Sequence, residues 1–220
     1  MKIARTGFVI MGGLLLTITA FGYFYWYKPK FNPITSTPIF SSEEKKGAFS
    51  NITIARIWQK ALLAKAYVNE HKFNKQFCFL IDMRLSSGKK RFFVYNLQLD
   101  SVEIAGLVTH GSGSQTVTDE LAFSNIPNSH CTSLGKYKTG KSYYGSFGLA
   151  YKLYGLDKTN DKAFNRFVVL HAHNRVPDFE IAPSTICVSY GCPTVSPAFL
   201  TKLKTYLDQS QQPVLLWIYY

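Results

Sequence analysis

From residue 77 onward the apolar residues recur with a period of two, as in β-strands whose alternate side chains face a core. Two such runs, 77–83 and 91–99, flank the turn-forming residues 86–90, which predicts a β-hairpin. The run 102–111 predicts another strand, and short strands with Gly/Ser turns continue without long helices between them. The pattern predicts a mainly β domain over residues 76–220, a β-sandwich or half-open barrel rather than a parallel α/β sheet.

Two other segments show helical spacing. Within residues 51–75 the apolar positions predict one amphipathic helix packed on the domain. Residues 197–209 predict a short amphipathic helix with Ser196 as its cap and Pro197 at its first position. A last buried strand is predicted to follow.

The first 27 residues have the pattern of a targeting segment. Lys2 and Arg5 precede an uncharged apolar run from residue 7 to residue 27, long enough to span a bilayer as a helix. We predict a signal-anchor that holds the protein to the membrane, with a cleaved signal peptide as the alternative. The prolines and charges of residues 28–50 predict a linker.

The chain is basic, with a formal net charge of +12 and a pI near 9.5. Such a charge favours anionic partners such as lipid headgroups or an acidic cell-wall polymer. Because no basic run interleaved with aromatic residues forms a nucleic-acid motif, we expect no nucleic-acid partner. A solvated basic surface without a specific role is the alternative.

A histidine and a cysteine dominate residues 167–195. An apolar strand ends on His171, and Cys192 lies in a tight Ser-Tyr-Gly-Cys-Pro turn. A thiol nucleophile needs a neighbouring imidazole, because only the thiolate attacks carbonyls well. Gly191 permits a sharp turn, so the amides of Tyr190, Gly191 and Cys192 could form an oxyanion hole. A buried structural cysteine beside an unrelated histidine is the alternative.

This turn resembles the Ser-x-Gly-Cys-Pro core of the L,D-transpeptidases of the YkuD type. Upstream blocks extend the resemblance over residues 76–195, among them GLVTHGSGS, FSNIPNSHCTSLGKY and NDKAFNRFVVLHA. By this resemblance Cys192 is the nucleophile, His171 is the base, and the backbone carbonyl of Ala172 orients the imidazole. The chain departs from the commoner pattern at Tyr190, where a histidine is usual, and at Thr194, where many members carry a polar or basic side chain.

The resemblance also implies substrate-binding residues. It places His110 near the active cleft and Thr194 on the acceptor side of the pocket. Tyr144 would line the donor groove, Arg166 would hold a substrate carboxylate in a forked grip, and Ser189 would hydrogen-bond near the base. The alternatives are a surface-loop histidine, a half-buried strand tyrosine and a hydroxyl that serves only its own turn.

The remaining cysteines leave the disulfide pattern open. One pair among Cys78, Cys131 and Cys187 is possible in an exported protein, whereas a bridge from Cys187 to Cys192 would block the thiol. Two histidines and two cysteines offer donors for zinc, but the family that the chain resembles is metal-free. We therefore expect no metal and no cofactor.

The implied activity is attack by Cys192 on a peptidoglycan tetrapeptide stem, leaving a thioester that an amine resolves to form a cross-link or attach a protein. Water as the acceptor would give L,D-carboxypeptidase activity. The family also implies a periplasmic or other extracytoplasmic location and inhibition by carbapenems. Another exported cysteine peptidase and a non-catalytic wall-binding module are the alternatives. The oligomeric state is left open.

Overall fold

The computed structural model describes residues 21, 23, 50–118 and 120–220. The predicted targeting segment, apart from Phe21 and Tyr23, and the predicted linker, apart from Ser50, lie outside the described residues. In the described part of the chain, no helix is both long enough and apolar enough to cross a bilayer.

The strands form one mixed sheet with the spatial order β3-β2-β1-β8-β4-β5-β6-β7. They run β1 Phe77–Asp82, β2 Phe92–Asn96, β3 Ser101–Gly106, β4 Gly135–Gly145, β5 Gly148–Gly155, β6 Val169–Ala172, β7 Thr194–Val195 and β8 Leu215–Tyr219. Only β1 with β8 and β6 with β7 pair in parallel; the other pairs are antiparallel. The mainly β prediction is confirmed.

One helix packs on each face of this sheet. The predicted hairpin is present, with Phe79 paired to Val94, and β8 inserts between β1 and β4. These strands form a single hydrogen-bonded series with edges at β3 and β7, and the Thr109 amide after β3 donates to the Thr194 carbonyl oxygen of β7 at 2.9 Å. The period-two pattern identified the strands, and the helix predicted within residues 51–75 packs on one face of the sheet.

The first described helix, α1 (Asn51–Glu70), covers one face of the sheet. Its N-cap is Ser50, whose hydroxyl accepts the Thr53 amide hydrogen at 3.2 Å. One side of the helix buries Ile57, Ala61, Ala64 and Val68 against β1, β2 and β8. Arg56 donates two hydrogen bonds to the fully buried carboxylate of Asp82, from Nε at 2.9 Å and from Nη2 at 2.5 Å. This ion pair fixes the helix against β1.

The second helix, α2 (Pro197–Asp208), packs on the opposite face. Ser196 is its N-cap, accepting the Phe199 amide hydrogen at 3.1 Å, and Pro197 opens the helix, as predicted. Phe199, Leu200 and Leu203 are buried against β1, β2, β6 and β8. Burying each such side chain stabilises the fold by roughly 1.5–3 kcal/mol. The helices therefore hold the sheet as a rigid support for the loops that follow β3 and β6.

Candidate active site

His171 and Cys192 line one cavity of about 300 Å³ with mostly apolar walls. Strand β6 carries His171 and pairs it with Thr194 of β7, so the turn that carries Cys192, which leads directly into β7, is brought alongside the imidazole. Two groups that are 21 positions apart in sequence thus share one site.

The imidazole is held by hydrogen bonds on both of its nitrogens. Nδ1 lies 3.0 Å from the carbonyl oxygen of Ala172, which can only accept, so Nδ1 carries the proton. Nε2 lies 3.0 Å from the Thr194 hydroxyl. Burial lowers the pKa of His171, against a smaller raising effect from the Ala172 carbonyl. The ring is therefore neutral at neutral pH, with Nε2 as the acceptor that a general base requires.

The thiol of Cys192 faces the backbone at the start of β6. Sγ accepts the Val169 amide hydrogen at 3.5 Å and donates its own hydrogen to the carbonyl oxygen of Phe167 at 3.7 Å. Burial raises the pKa of Cys192, and the Val169 amide and the charge of Arg166 partly offset this. Within the described residues, Sγ makes no hydrogen bond to His171, so the free protein holds a neutral thiol beside a neutral imidazole.

The turn that carries the thiol requires glycine at position 191. Gly191 has φ +106°, and a Cβ there would lie 2.7 Å from the carbonyl oxygen of Cys131. Ser189 Oγ accepts the Gly191 amide hydrogen at 3.2 Å and donates to the Cys192 carbonyl oxygen at 2.7 Å. Ser189 therefore stabilises its own turn, but its hydroxyl also lies 3.3 Å from the His110 carbonyl oxygen, and the residue lines the cavity with His171.

These bonds change the predicted oxyanion hole. The Gly191 amide is already occupied by Ser189, so it is not a free donor. In the described part of the chain, the amides of Tyr190 and Cys192 have no acceptor. Two of the three predicted donors remain available for a developing oxyanion. The Tyr190 side chain is exposed and packs over His130, with ring centroids 4.6 Å apart.

A further residue, Thr109, was missed by the sequence analysis. Its hydroxyl donates to the Cys192 carbonyl oxygen at 3.2 Å and accepts the Thr194 amide hydrogen at 3.2 Å. It is buried, and it ties the loop after β3 to the nucleophile turn. Only its place directly before the His110-Gly111 motif could have drawn attention to it.

Arg166 does not offer the predicted forked grip on a substrate carboxylate. Its guanidinium donates to the carbonyl oxygens of Ser124 and Cys131 at 2.9 and 2.8 Å, and to the hydroxyls of Ser129 and Ser133. The donors are therefore used within the protein, where they fix the loop that packs against Gly191. The positive charge still acts on Cys192 by favouring the thiolate.

His110 supports the site through its backbone. Its carbonyl oxygen accepts the Ser189 amide hydrogen at 2.9 Å. Its imidazole is buried, with Nδ1 3.1 Å from Nη2 of the buried Arg91. Burial, followed by the charge of Arg91, lowers the pKa of His110 to about 4. The side chain is not among those that line the catalytic cavity, so the predicted closeness to the cleft applies to the main chain.

The β4–β5 hairpin brings Phe147, rather than Tyr144, to the cavity. Tyr144 is 84% exposed and lies outside the cavity walls. Phe147 lines the cavity and stacks on His171, with ring centroids 4.7 Å apart and planes at 26°. The hairpin tip therefore covers one face of the imidazole with an aromatic ring.

Arg175 also lines the cavity, and its side chain is exposed. Within the described residues its guanidinium forms no ion pair. It is therefore available for a carboxylate, unlike Arg166.

All four cysteines carry free thiols. Cys78 and Cys131 are buried, whereas Cys187 lines the cavity with Cys192. Among residues 50–118 and 120–220, no group of three His, Cys, Asp or Glu side chains is arranged to hold a metal ion.

The family model of the L,D-transpeptidase catalytic domain (YkuD type) matches residues 50–219. The chain therefore belongs to the L,D-transpeptidase catalytic domain family. No curated protein matches its sequence.

Solved structures that are similar to the chain include the Ldtfm–avibactam carbamoyl enzyme, with 10% identity, a TM-score of 0.41, and coverage of 67% of this chain and 50% of that chain. An L,D-transpeptidase from Mycobacterium smegmatis has 12% identity and a TM-score of 0.38, with coverage of 66% of this chain and 59% of that chain. The helical cell shape determining protein Pgp2 from Campylobacter jejuni has 12% identity and a TM-score of 0.39, with coverage of 73% of this chain and 55% of that chain. The chain thus spans between 50% and 59% of the length of these proteins.

Proposed function

We propose that this protein is a peptidoglycan L,D-transpeptidase that works through a thioester on Cys192. The observation that carries the proposal is the shared cavity, in which the thiol lies beside an imidazole that keeps Nε2 as a proton acceptor. Membership of the family supports peptidoglycan stem peptides as the substrate class, and the stem proposed here is a tetrapeptide with a terminal D-alanine.

In the first half-reaction the Cys192 thiol gives its proton to Nε2 of His171 as sulfur attacks the stem carbonyl carbon after the third residue. The carbonyl oxygen becomes an oxyanion that accepts hydrogen bonds from the free amides of Tyr190 and Cys192. When the intermediate collapses, the C–N bond breaks and Nε2 returns the proton to the departing amine of D-alanine. A thioester then links the shortened stem to Cys192.

In the second half-reaction an amine attacks the thioester carbonyl and loses a proton to Nε2. The C–S bond breaks, sulfur regains the proton, and a new amide bond joins donor and acceptor. Water in place of the amine would release a free tripeptide stem. The two outcomes share every residue up to the thioester.

Arg175 is the cavity residue best suited to hold a stem carboxylate. It lines the cavity with Cys192 and keeps its guanidinium free of the described acidic side chains. A guanidinium can bind a carboxylate through two parallel hydrogen bonds. Arg175 thereby replaces Arg166 in the role predicted from the sequence.

A wall substrate requires the catalytic domain to act outside the cytoplasm. We accordingly propose export, with anchoring through the N-terminal segment as the sequence predicts. The free state of all four cysteines leaves Cys192 reduced, as the proposed reaction requires.

The experiment incubates the full chain with a soluble disaccharide tetrapeptide and an amine acceptor, with product analysis by mass spectrometry. The proposal expects release of D-alanine and a cross-linked product, both abolished by Cys192→Ala and kept by Cys187→Ala, the other cavity thiol. A tripeptide stem alone would instead assign carboxypeptidase activity. Cleavage of ordinary L-peptides without D-alanine release would overturn the proposal in favour of a general cysteine peptidase.

A further inference from the structure

A second groove, separate from the catalytic cavity, lies beside the β4–β5 hairpin. It encloses about 740 Å³ between β4, β5, the end of α2 and the segment that leads into β8. Three lysines line it, Lys138, Lys141 and Lys152, and we name it the basic groove.

The charge of the basic groove is largely uncompensated. None of these lysines forms an ion pair with a described residue. The acidic residue in the lining is Asp208, which is already bound by Lys204 and by the Tyr151 hydroxyl at 3.0 Å. Three ammonium groups without acidic partners attract an anionic ligand.

Aromatic rings lie between the lysines. Tyr154 stacks on Phe164 with centroids 5.0 Å apart and planes at 12°, and the Lys138 ammonium lies 5.0 Å from the Tyr154 ring. The Lys152 ammonium lies 5.9 Å from Phe164 and 5.8 Å from Tyr143. In these contacts the lysine ammonium groups lie over aromatic rings, and stacking holds two of those rings in place.

Lys138 of β4 and Lys152 of β5 share a sheet face with His171. Ala150 pairs with His171, and Lys152 and Tyr154 follow at intervals of two along β5, so all lie on one face. Lys138 pairs with Tyr154 on the neighbouring strand and faces the same way. A polymer bound along this face can therefore reach from the basic groove to the catalytic cavity.

We propose that the basic groove binds a carboxylate-bearing strand of the wall polymer, outside the reacting stem. Lys138, Lys141 and Lys152 contact the carboxylates, and neutral polar groups such as Gln211 and Gln212 accommodate the uncharged segments between them. The hydroxyl and amide side chains of the lining suit a polymer that carries carboxylate and amide groups, and binding to an anionic bilayer is the competing outcome of the test. The chemistry of this ligand rests on the proposed function of the catalytic cavity.

The test measures binding of the full chain to purified wall sacculi by co-sedimentation. Cys192→Ala is the background, so that turnover does not affect the result. The groove variant combines Lys138→Gln, Lys141→Gln and Lys152→Gln. Its control combines Lys89→Gln, Lys158→Gln and Lys202→Gln, three exposed lysines outside both cavities, so the two variants carry the same net charge.

We expect the groove variant to bind about tenfold more weakly than the control, because three charge contacts are lost. The difference should vanish in about 1 M salt, where charges are screened within roughly 3 Å. Equal binding of the two variants, with equal thermal midpoints, would overturn the proposal.

A second arm uses vesicles of phosphatidylglycerol. Binding to these vesicles that depends on the groove lysines, with unchanged binding to sacculi, would overturn the polymer assignment in favour of a membrane surface. Failure of the proposed enzymatic function would appear separately, as absent D-alanine release by chains that keep Cys192.

Discussion

The hydroxyl of Thr194 lies 3.0 Å from Nε2 of His171, the nitrogen that takes the thiol proton in the proposed reaction. Since Nδ1 is hydrogen-bonded to the Ala172 carbonyl, the neutral ring has only this lone pair to offer, and the hydroxyl donates to it. The Cys192 thiol meanwhile faces the Phe167 carbonyl. In the free protein the base is therefore engaged by a side chain that must give way before proton transfer.

Thr194→Val should speed acylation of Cys192. Valine keeps the shape but removes a hydrogen bond with a net value of about 1 kcal/mol, so the rate at neutral pH should rise about fivefold, while the free energy of unfolding falls by about 1 kcal/mol. Stopped-flow acylation by a carbapenem and urea unfolding measure both effects. Thr194→Ser keeps the hydroxyl and should behave as wild type. Slower acylation by the valine variant alone would show that the hydroxyl orients the base.

Phe147→Ala should move the acid limb of the rate profile to higher pH. The ring stacks on His171, whose pKa is lowered chiefly by burial, and its removal admits water. The His171 pKa then rises toward 6.5, and because the base works in its neutral form, activity is lost at a higher pH as the solution is acidified. Acylation rates across pH test this, with Phe147→Leu as the control that keeps an apolar cover. If the acylation rates of wild type, Phe147→Ala and Phe147→Leu fell at the same pH on acidification, the prediction would be refuted.

Arg175→Gln should weaken stem binding more than it slows turnover. A lost guanidinium–carboxylate contact at this partly open site should raise KM about tenfold, with kcat nearly unchanged. Steady-state kinetics with the disaccharide tetrapeptide give both constants. Arg84→Gln, an exposed arginine outside the cavity, is the control. If the two variants had the same KM, the carboxylate would have to be held elsewhere.

His110 should make the fold sensitive to acid. Its pKa is lowered from 6.5 to about 4 by burial and by Arg91, so the unfolded chain binds the proton first. Its contribution to stability is full above pH 6.5 and is lost as the pH falls toward about 4, with a slope approaching ~1.4 kcal/mol per pH unit and a total of about 3 kcal/mol.

His110→Asn keeps an acceptor for Arg91 without the titration, so its unfolding free energy should change less between neutral pH and about pH 4.5 than that of wild type. Urea unfolding at both pH values measures the difference. The matched control is His71→Asn, which lies at the exposed end of α1. An equal loss of stability in wild type and His110→Asn would remove His110 from this role.

Local features of the fold could be predicted because their causes lie close together in sequence. The 86–90 turn joins two paired strands, and Ser196 accepts the amide hydrogen of Phe199, only three residues further along the chain. Neighbouring residues therefore determine both features. The position of each predicted helix on the sheet could not be predicted in this way. It depends on contacts such as Arg56 with Asp82, which lie 26 positions apart.

The residues of the site also divide into those that the sequence could identify and those that it could not. His171 and Cys192 could be predicted as site residues because their chemistry is rare and their segments match a known family. Thr109 could not, since its bond to the Cys192 carbonyl spans 83 positions. Sequence also does not show that the carbonyls of residues 124 and 131 fold against the Arg166 guanidinium, so these internal hydrogen bonds could not be predicted.

The most direct test of the whole account is the intact mass of the protein after carbapenem treatment. We predict one covalent adduct on wild type and on Cys187→Ala, mapped to Cys192, and none on Cys192→Ala, whose unfolding should match wild type. An adduct that persists in folded Cys192→Ala, or that maps to Cys187 in wild type, would contradict the assignment of the nucleophile.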